Sequence, residues 1–317
     1  MGEFQNIGVR DYLKRYGWKY GIKRGAFTAL PFHVVNDYEN KKILYYSKVE
    51  KKLKKKYLKA ASINPEGLTF GTVEIDNPIW VYWKQGLDQA PAIVKSCINS
   101  IKQNGDTKVI VITDDNVEQY VKFPQYIMER LVKGTMSIAA FSDLLRFSLL
   151  EHYGGTWIDS TVYLSDRLPE YITKSDLFAY QDSFGLIKNS ALMSVWLLHS
   201  SPHNEVIRET RNVAFEYWKN QKYVVEYLLP YIILTMILKQ HPEAFSKMPY
   251  ANSDYTHLML EHINEEYDED LMKHILSLSS VHKLSYKLTN EAYVNKRNFY
   301  NRIVVNNLGN ISSITQK

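Results

Sequence analysis

Asp143, Arg146 and Asp159 fall within one segment, AAFSDLLRFSLLEHYGGTWIDSTVYL, Ala139 to Leu164, in an order that can build a polar site. Three residues apart on a helix, Asp143 and Arg146 share a side, so both can reach one ligand. The glycine pair Gly154 and Gly155 ends that helix, because glycine accepts left-handed backbone at no steric cost. The chain then turns into TWID, which delivers Asp159 at the end of a short apolar strand. An acid at a strand tip, beside an acid and an arginine on the preceding helix, places the site at the edge of a sheet.

The elements around this segment must position it. IWVYW, Ile79 to Trp83, is an apolar strand; a helix runs from Pro91 to about Asn104; KVIVIT, Lys108 to Thr113, is a second buried strand. Strand, helix and strand with a right-handed crossover make the two strands parallel neighbours whose carboxyl ends share a crevice. Asp114 and Asp115 follow the second strand, and Asp115 is expected to cap the next helix. Beyond the central segment come DLFAYQ (176–181) and helices at about 203–220, 224–240 and 265–278.

Composition narrows the classes. With 317 residues, 45% hydrophobic and 23% charged, the chain can bury a full α/β core. Its one cysteine, Cys97, excludes a disulfide framework and a multi-cysteine zinc site, and a reducing, cytoplasmic setting is expected. Residues 1–30 hold no continuous apolar stretch, so a secretory signal is not expected. The longest apolar run, 227–238, contains Pro230 and falls short of the roughly 20 residues a membrane span needs. Phosphate-loop, zinc-helix and nucleophile-elbow motifs are not found.

Charge is unevenly placed. Between Lys41 and Lys59 nine lysines face Glu50 alone, threaded by Ile43, Tyr46, Val49, Leu53 and Tyr57 at helical spacing. Such a helix either packs on the main domain with a solvated face or attaches to an anionic membrane surface. No nucleic-acid motif accompanies it, so nucleic acid is not the expected partner. The linker INPEGLTFG then marks a boundary near residue 70, giving a basic helical N-terminal extension (1–70) and a second domain (71–317).

IWVYWKQG, SDLLRF running into HYGGTWIDST, GLIKNS and VHKLSYK, in that order, resemble the capsular polysaccharide synthesis protein family. These are bacterial relatives of glycosyltransferase family 32, with a GT-A fold like the catalytic domains of the large clostridial glucosylating toxins. The likeness runs from about Asn77 to Lys287. It implies a Rossmann-like α/β domain and transfer of a hexose from a sugar nucleotide with retention of configuration, assisted by Mn²⁺ or Mg²⁺. By the same resemblance, UDP-galactose or UDP-glucose is the expected donor and a lipid-linked saccharide the acceptor.

The resemblance also assigns roles. Asp159 begins the place of an Asp-x-Asp metal motif, in which Ser160 is a donor-binding residue and Thr161 stands where a second carboxylate is usual. A hydroxyl is a poorer ligand than a carboxylate, so Thr161 binds a metal weakly or through water or phosphate. His282 is the second metal candidate, and Lys283 and Lys287 are candidates to offer charge to the leaving diphosphate. Asp143 and Arg146 would hold sugar hydroxyls and the ribose or phosphate; their bland alternative is an intrahelical salt bridge. Trp83 would stack on the base, whereas Trp80, on the opposite face of the strand with Tyr82, belongs to the core. Asn189, with Ser190 beside it, would line the sugar. Packing or turn formation serves equally well for Trp83 and Asn189 as sequence alone stands. A competing class is a non-catalytic carbohydrate- or membrane-binding protein that lost metal binding at Thr161.

Overall fold

The computed structural model describes residues 13–14, 17–22, 38–182 and 190–304. In chain order the principal elements are α1 (Tyr38–Tyr57), β1 (Ile79–Tyr82), α2 (Ala92–Asn104), β2 (Val109–Ile112), α3 (Ile138–Tyr153), β3 (Gly155–Ile158), β4 (Val162–Leu164), β5 (Leu177–Gln181), β6 (Met193–Ser200), α4 (Glu205–Asn220), α5 (Leu229–Leu238), α6 (Glu269–Leu278) and β7 (Val281–Lys283). Five strands form a mixed sheet in the order β2-β1-β3-β6-β5. β2, β1 and β3 run parallel, as the strand–helix–strand pattern requires, while β6 is antiparallel to β3 and β5 to β6.

Alternating side chains divide the core between the two faces of this sheet. Trp80, Tyr82, Ile110, Ile112 and Trp157 point to one face, against α1, α3, α4 and α5. Ile79, Val81, Ile158, Phe178 and Trp196 point to the other, against α2 and the β4–β7 pair. Trp80 is fully buried and its indole donates to the Gly154 carbonyl at 2.9 Å. The carboxyl ends of β1 and β3 open on one edge of the sheet, where α3 begins.

The turn between α3 and β3 depends on its glycines. Gly154 and Gly155 have φ of 67° and 92°, and a Cβ on Gly155 would stand 2.2 Å from the Pro78 carbonyl oxygen. That carbonyl accepts from Thr156 N at 2.8 Å, so close approach of the two chain segments is what joins β3 to the sheet.

Several boundaries differ from expectation. The break near residue 70 is not a break in packing: Tyr46, Val49, Leu53 and Tyr57 of α1 are buried in the same cluster as Trp80 and Phe147. Helix α5 begins only at Leu229, because Pro230 suits a helix's first turn and not its interior. Asp115 caps nothing; Asn116 occupies the cap position, and its side-chain Oδ1 accepts from Thr113 N instead of from the helix. Strand β6, absent from the expected elements, is buried at all eight positions and lies between β3 and β5. Among the described residues no helix is long and apolar enough to cross a membrane.

Candidate functional site

Two strand ends and one helix meet around a cavity of about 500 Å³. Helix α3 is capped by Ser137, whose hydroxyl accepts from Ala140 N. From its second and third turns Asp143 and Arg146 face the cavity; from Leu144 to Glu151 the helix is buried all round. After β1, Trp83 and Lys84 line the opening, and after β3, Asp159, Ser160 and Thr161 do. The fourth wall is Lys283 and the loop that follows it, with Tyr286 and Lys287.

Arg146 is the hinge of the polar network. Its side chain is only 6% exposed, with one guanidinium nitrogen 3.0 Å from Asp143 Oδ1 and 3.5 Å from Asp159 Oδ1. Another nitrogen donates to the Val195 carbonyl, and the guanidinium lies over the Trp157 ring at 5.0 Å. A planar fork held on so many sides presents a fixed positive charge to the cavity. Burial pushes the Asp143 carboxyl up to about 7; Arg146 pulls it down and Asp159 pushes it further up, and burial wins. Asp159 Oδ1 also accepts from the Trp157 indole at 2.9 Å.

Lys283 reaches the same place from β7. Its ammonium donates to Thr161 Oγ1 at 2.6 Å and lies 3.7 Å from Asp159 Oδ2. Strand pairing explains this: β7 runs antiparallel to β4 with Val162 opposite Lys283 and Tyr163 opposite His282. Alternate residues face opposite ways, so Lys283 enters the cavity and His282 does not. His282 is fully buried, bonded through Nε2 to Ser165 at 2.9 Å, and burial lowers its imidazole to about 3. His282 is therefore not part of the cavity lining that holds Asp159, where the sequence had placed it. Asn189 lies outside the described residues; Ser190 beside it is buried and donates to Glu50.

Asp143, Arg146, Trp83, Asp159, Ser160, Thr161, Lys283 and Lys287 thus line a single cavity. Sequence reasoning passed over Tyr82 and Tyr231, which line it too. The Tyr82 hydroxyl and the Trp83 indole nitrogen are buried with no hydrogen-bond partner in the described structure. Burial pushes the Tyr231 phenol far up, the charges of Asp182 and Asp159 push it further, and Arg146 pulls it down. No pattern marks either tyrosine: Tyr82 reads as core, and Tyr231 sits in the apolar run 227–238. Cys97 is buried in α2, its thiol pushed up to about 12 by burial, and takes no part.

Fold and cavity together define an α/β protein with a mixed sheet and an anion-suited site at the carboxyl ends of its parallel strands. The chain belongs to the capsular polysaccharide synthesis protein family, whose profile matches residues 29–303. That span includes α1, which the sequence resemblance had left outside. No curated protein matches the chain. Among solved structures it is similar to one titled "PaToxG Glycosyltransferase", at 13% identity and a TM-score of 0.39, over 84% of this chain and 96% of that one.

Proposed function

We propose that this protein is a retaining glycosyltransferase that moves a hexose, galactose or glucose, from a UDP-sugar to a lipid-linked saccharide in capsule or cell-surface polysaccharide synthesis, working at the inner face of the plasma membrane. Family membership supports the pathway. The observation that carries the reaction is the cavity itself, where a half-buried carboxylate, a clamped guanidinium, three lysines and an unpaired indole converge.

Each part has a task. Trp83 offers an aromatic face to the uracil base and Asp143, once ionised, accepts two sugar hydroxyls. Arg146, Lys283 and Lys287, with the Ser160 hydroxyl, receive the diphosphate, whose negative charge grows as the glycosidic bond breaks. Retention follows when the acceptor hydroxyl attacks from the side the diphosphate leaves, giving its proton to the departing phosphate. Among the described residues the carboxylates that line the cavity are Asp143 and Asp159, and neither is assigned the part of a nucleophile in this reading.

Mn²⁺ or Mg²⁺, expected from the resemblance with Asp159 as its candidate ligand, would supply positive charge to the leaving diphosphate. The residues present do not fit it. Among the described residues no three His, Cys, Asp or Glu gather to hold an ion. His282 faces the core, and the Thr161 hydroxyl is already taken by Lys283.

Calorimetry with UDP, UDP-galactose, UDP-glucose and GDP tests the nucleotide. UDP is expected to bind and GDP to bind far more weakly, and Trp83→Ala should weaken UDP roughly tenfold or more, since base stacking is worth about 1–3 kcal/mol. Absence of UDP binding to the folded protein would remove the proposal.

A further inference from the structure

We infer that the ammonium of Lys283 stands in for the divalent cation, so that this protein binds and releases its nucleotide diphosphate without metal. The inference rests on the transferase reading and specifies what neutralises the leaving group within it.

The geometry points there from three sides. Asp159 and Thr161 occupy the first and third places of the loop after β3, and Lys283 bridges them, at 3.7 Å from Asp159 Oδ2 and 2.6 Å from Thr161 Oγ1. Its position is built and not incidental: Leu284 N donates to the Thr161 carbonyl at 2.8 Å, locking β7 to the loop, and the Lys283 side chain is 19% exposed, within the cavity wall. The carboxylate is also already satisfied. Asp159 Oδ1 faces the Trp157 indole and Arg146, and Oδ2 faces Lys283. A metal entering between Asp159 and Thr161 would meet the ammonium at a few ångströms, where like charges repel strongly in a partly buried site.

A lysine suits the task. Its ammonium is a compact charge with three donors, and here donors go to Thr161 and, at 3.4 Å, to the Leu284 carbonyl. As the bond from the sugar carbon to the β-phosphate oxygen breaks, the electron pair stays on that oxygen. The acceptor oxygen bonds to the carbon and its proton passes to the departing phosphate. Lys283 keeps its proton throughout and supplies charge alone, with Arg146 and Lys287 lining the same cavity.

UDP binding by calorimetry, in chelator and in Mn²⁺, tests this on the full chain. UDP affinity is expected to agree within about twofold in the two conditions. Lys283→Met should weaken UDP by roughly tenfold or more while sparing uridine, and Lys283→Arg should keep most of the affinity, as charge-assisted contacts to phosphate require. Uridine binding by Lys283→Met shows that the variant is folded. An affinity for UDP at least about tenfold higher in Mn²⁺, or an unchanged affinity in Lys283→Met, would overturn the inference and leave the transferase reading standing. Failure to bind UDP in either condition would remove both.

Discussion

Asp143 and Arg146 show how burial changes the meaning of a common pair. An exposed Asp and Arg three apart on a helix contribute a few tenths of a kcal/mol. Here the arginine is nearly enclosed and shared with Asp159, and Asp143 titrates at about 7 instead of its ordinary 3.8. The sign of the consequence follows. Between pH 3.8 and 7 the folded state holds a proton on Asp143 that the unfolded chain has released, so this group's contribution to stability falls as pH rises through that window. Binding goes the other way. If ionised Asp143 accepts sugar hydroxyls, affinity for UDP-hexose relative to UDP should rise with pH through about 7, and Asp143→Asn should flatten that ratio; calorimetry across pH reads both. The placement of these two residues was legible because one helix fixes their spacing. Those of His282 and Lys283 were not. Adjacent on a strand, one must face in and one out, and only pairing with β4 decides which.

Helix α1 carries two faces with separate consequences. Tyr46, Val49, Leu53 and Tyr57 form the buried stripe, and Tyr57 OH accepts from Gln221 at 2.7 Å. Opposite them, Leu44, Lys48, Lys51 and Lys55 are exposed and fall on one stripe about 60° wide by helical geometry. Glu50, the single acid of the run, is turned aside to Lys239 at 2.9 Å and to Ser190, so it does not neutralise that stripe. A rigid basic face with an apolar residue in it suits an anionic bilayer, and each lysine adds about 1 kcal/mol there. Replacing Lys48, Lys51 and Lys55 by Glu should therefore abolish co-sedimentation with phosphatidylglycerol vesicles while leaving UDP affinity unchanged; equal sedimentation of parent and variant would argue for a merely solvated face. Both alternatives for this helix were visible in its periodicity. By contrast β6 was missed: with all eight positions buried it has no alternation to read, although it is central to the sheet.

At the scale of the molecule, the sheet joins α1 to the site through one core. Leu53 is 2% exposed in the cluster that holds Trp80, so Leu53→Ala should cost about 3 kcal/mol and lower the urea midpoint of the whole protein. An unchanged midpoint would mean that α1 folds apart from the rest. The parallel pair, the glycine turn and the polar segment after α3 were all legible, because long apolar strands, a paired glycine and a charged pair on an apolar helix each leave a local mark. Short pairings such as β4 with β7 depend on contacts more than a hundred residues apart and leave none. Turnover joins these pieces in one assay: release of UDP from UDP-galactose and UDP-glucose by the parent and by Asp143→Asn. Hydrolysis of one donor by the parent, reduced at least about a hundredfold in the variant, is the result expected of a transferase whose sugar is held by Asp143. Tight UDP binding without release of sugar from either donor, even with lipid-linked saccharide from capsule-forming membranes added, would contradict it and make the cavity a binding site alone.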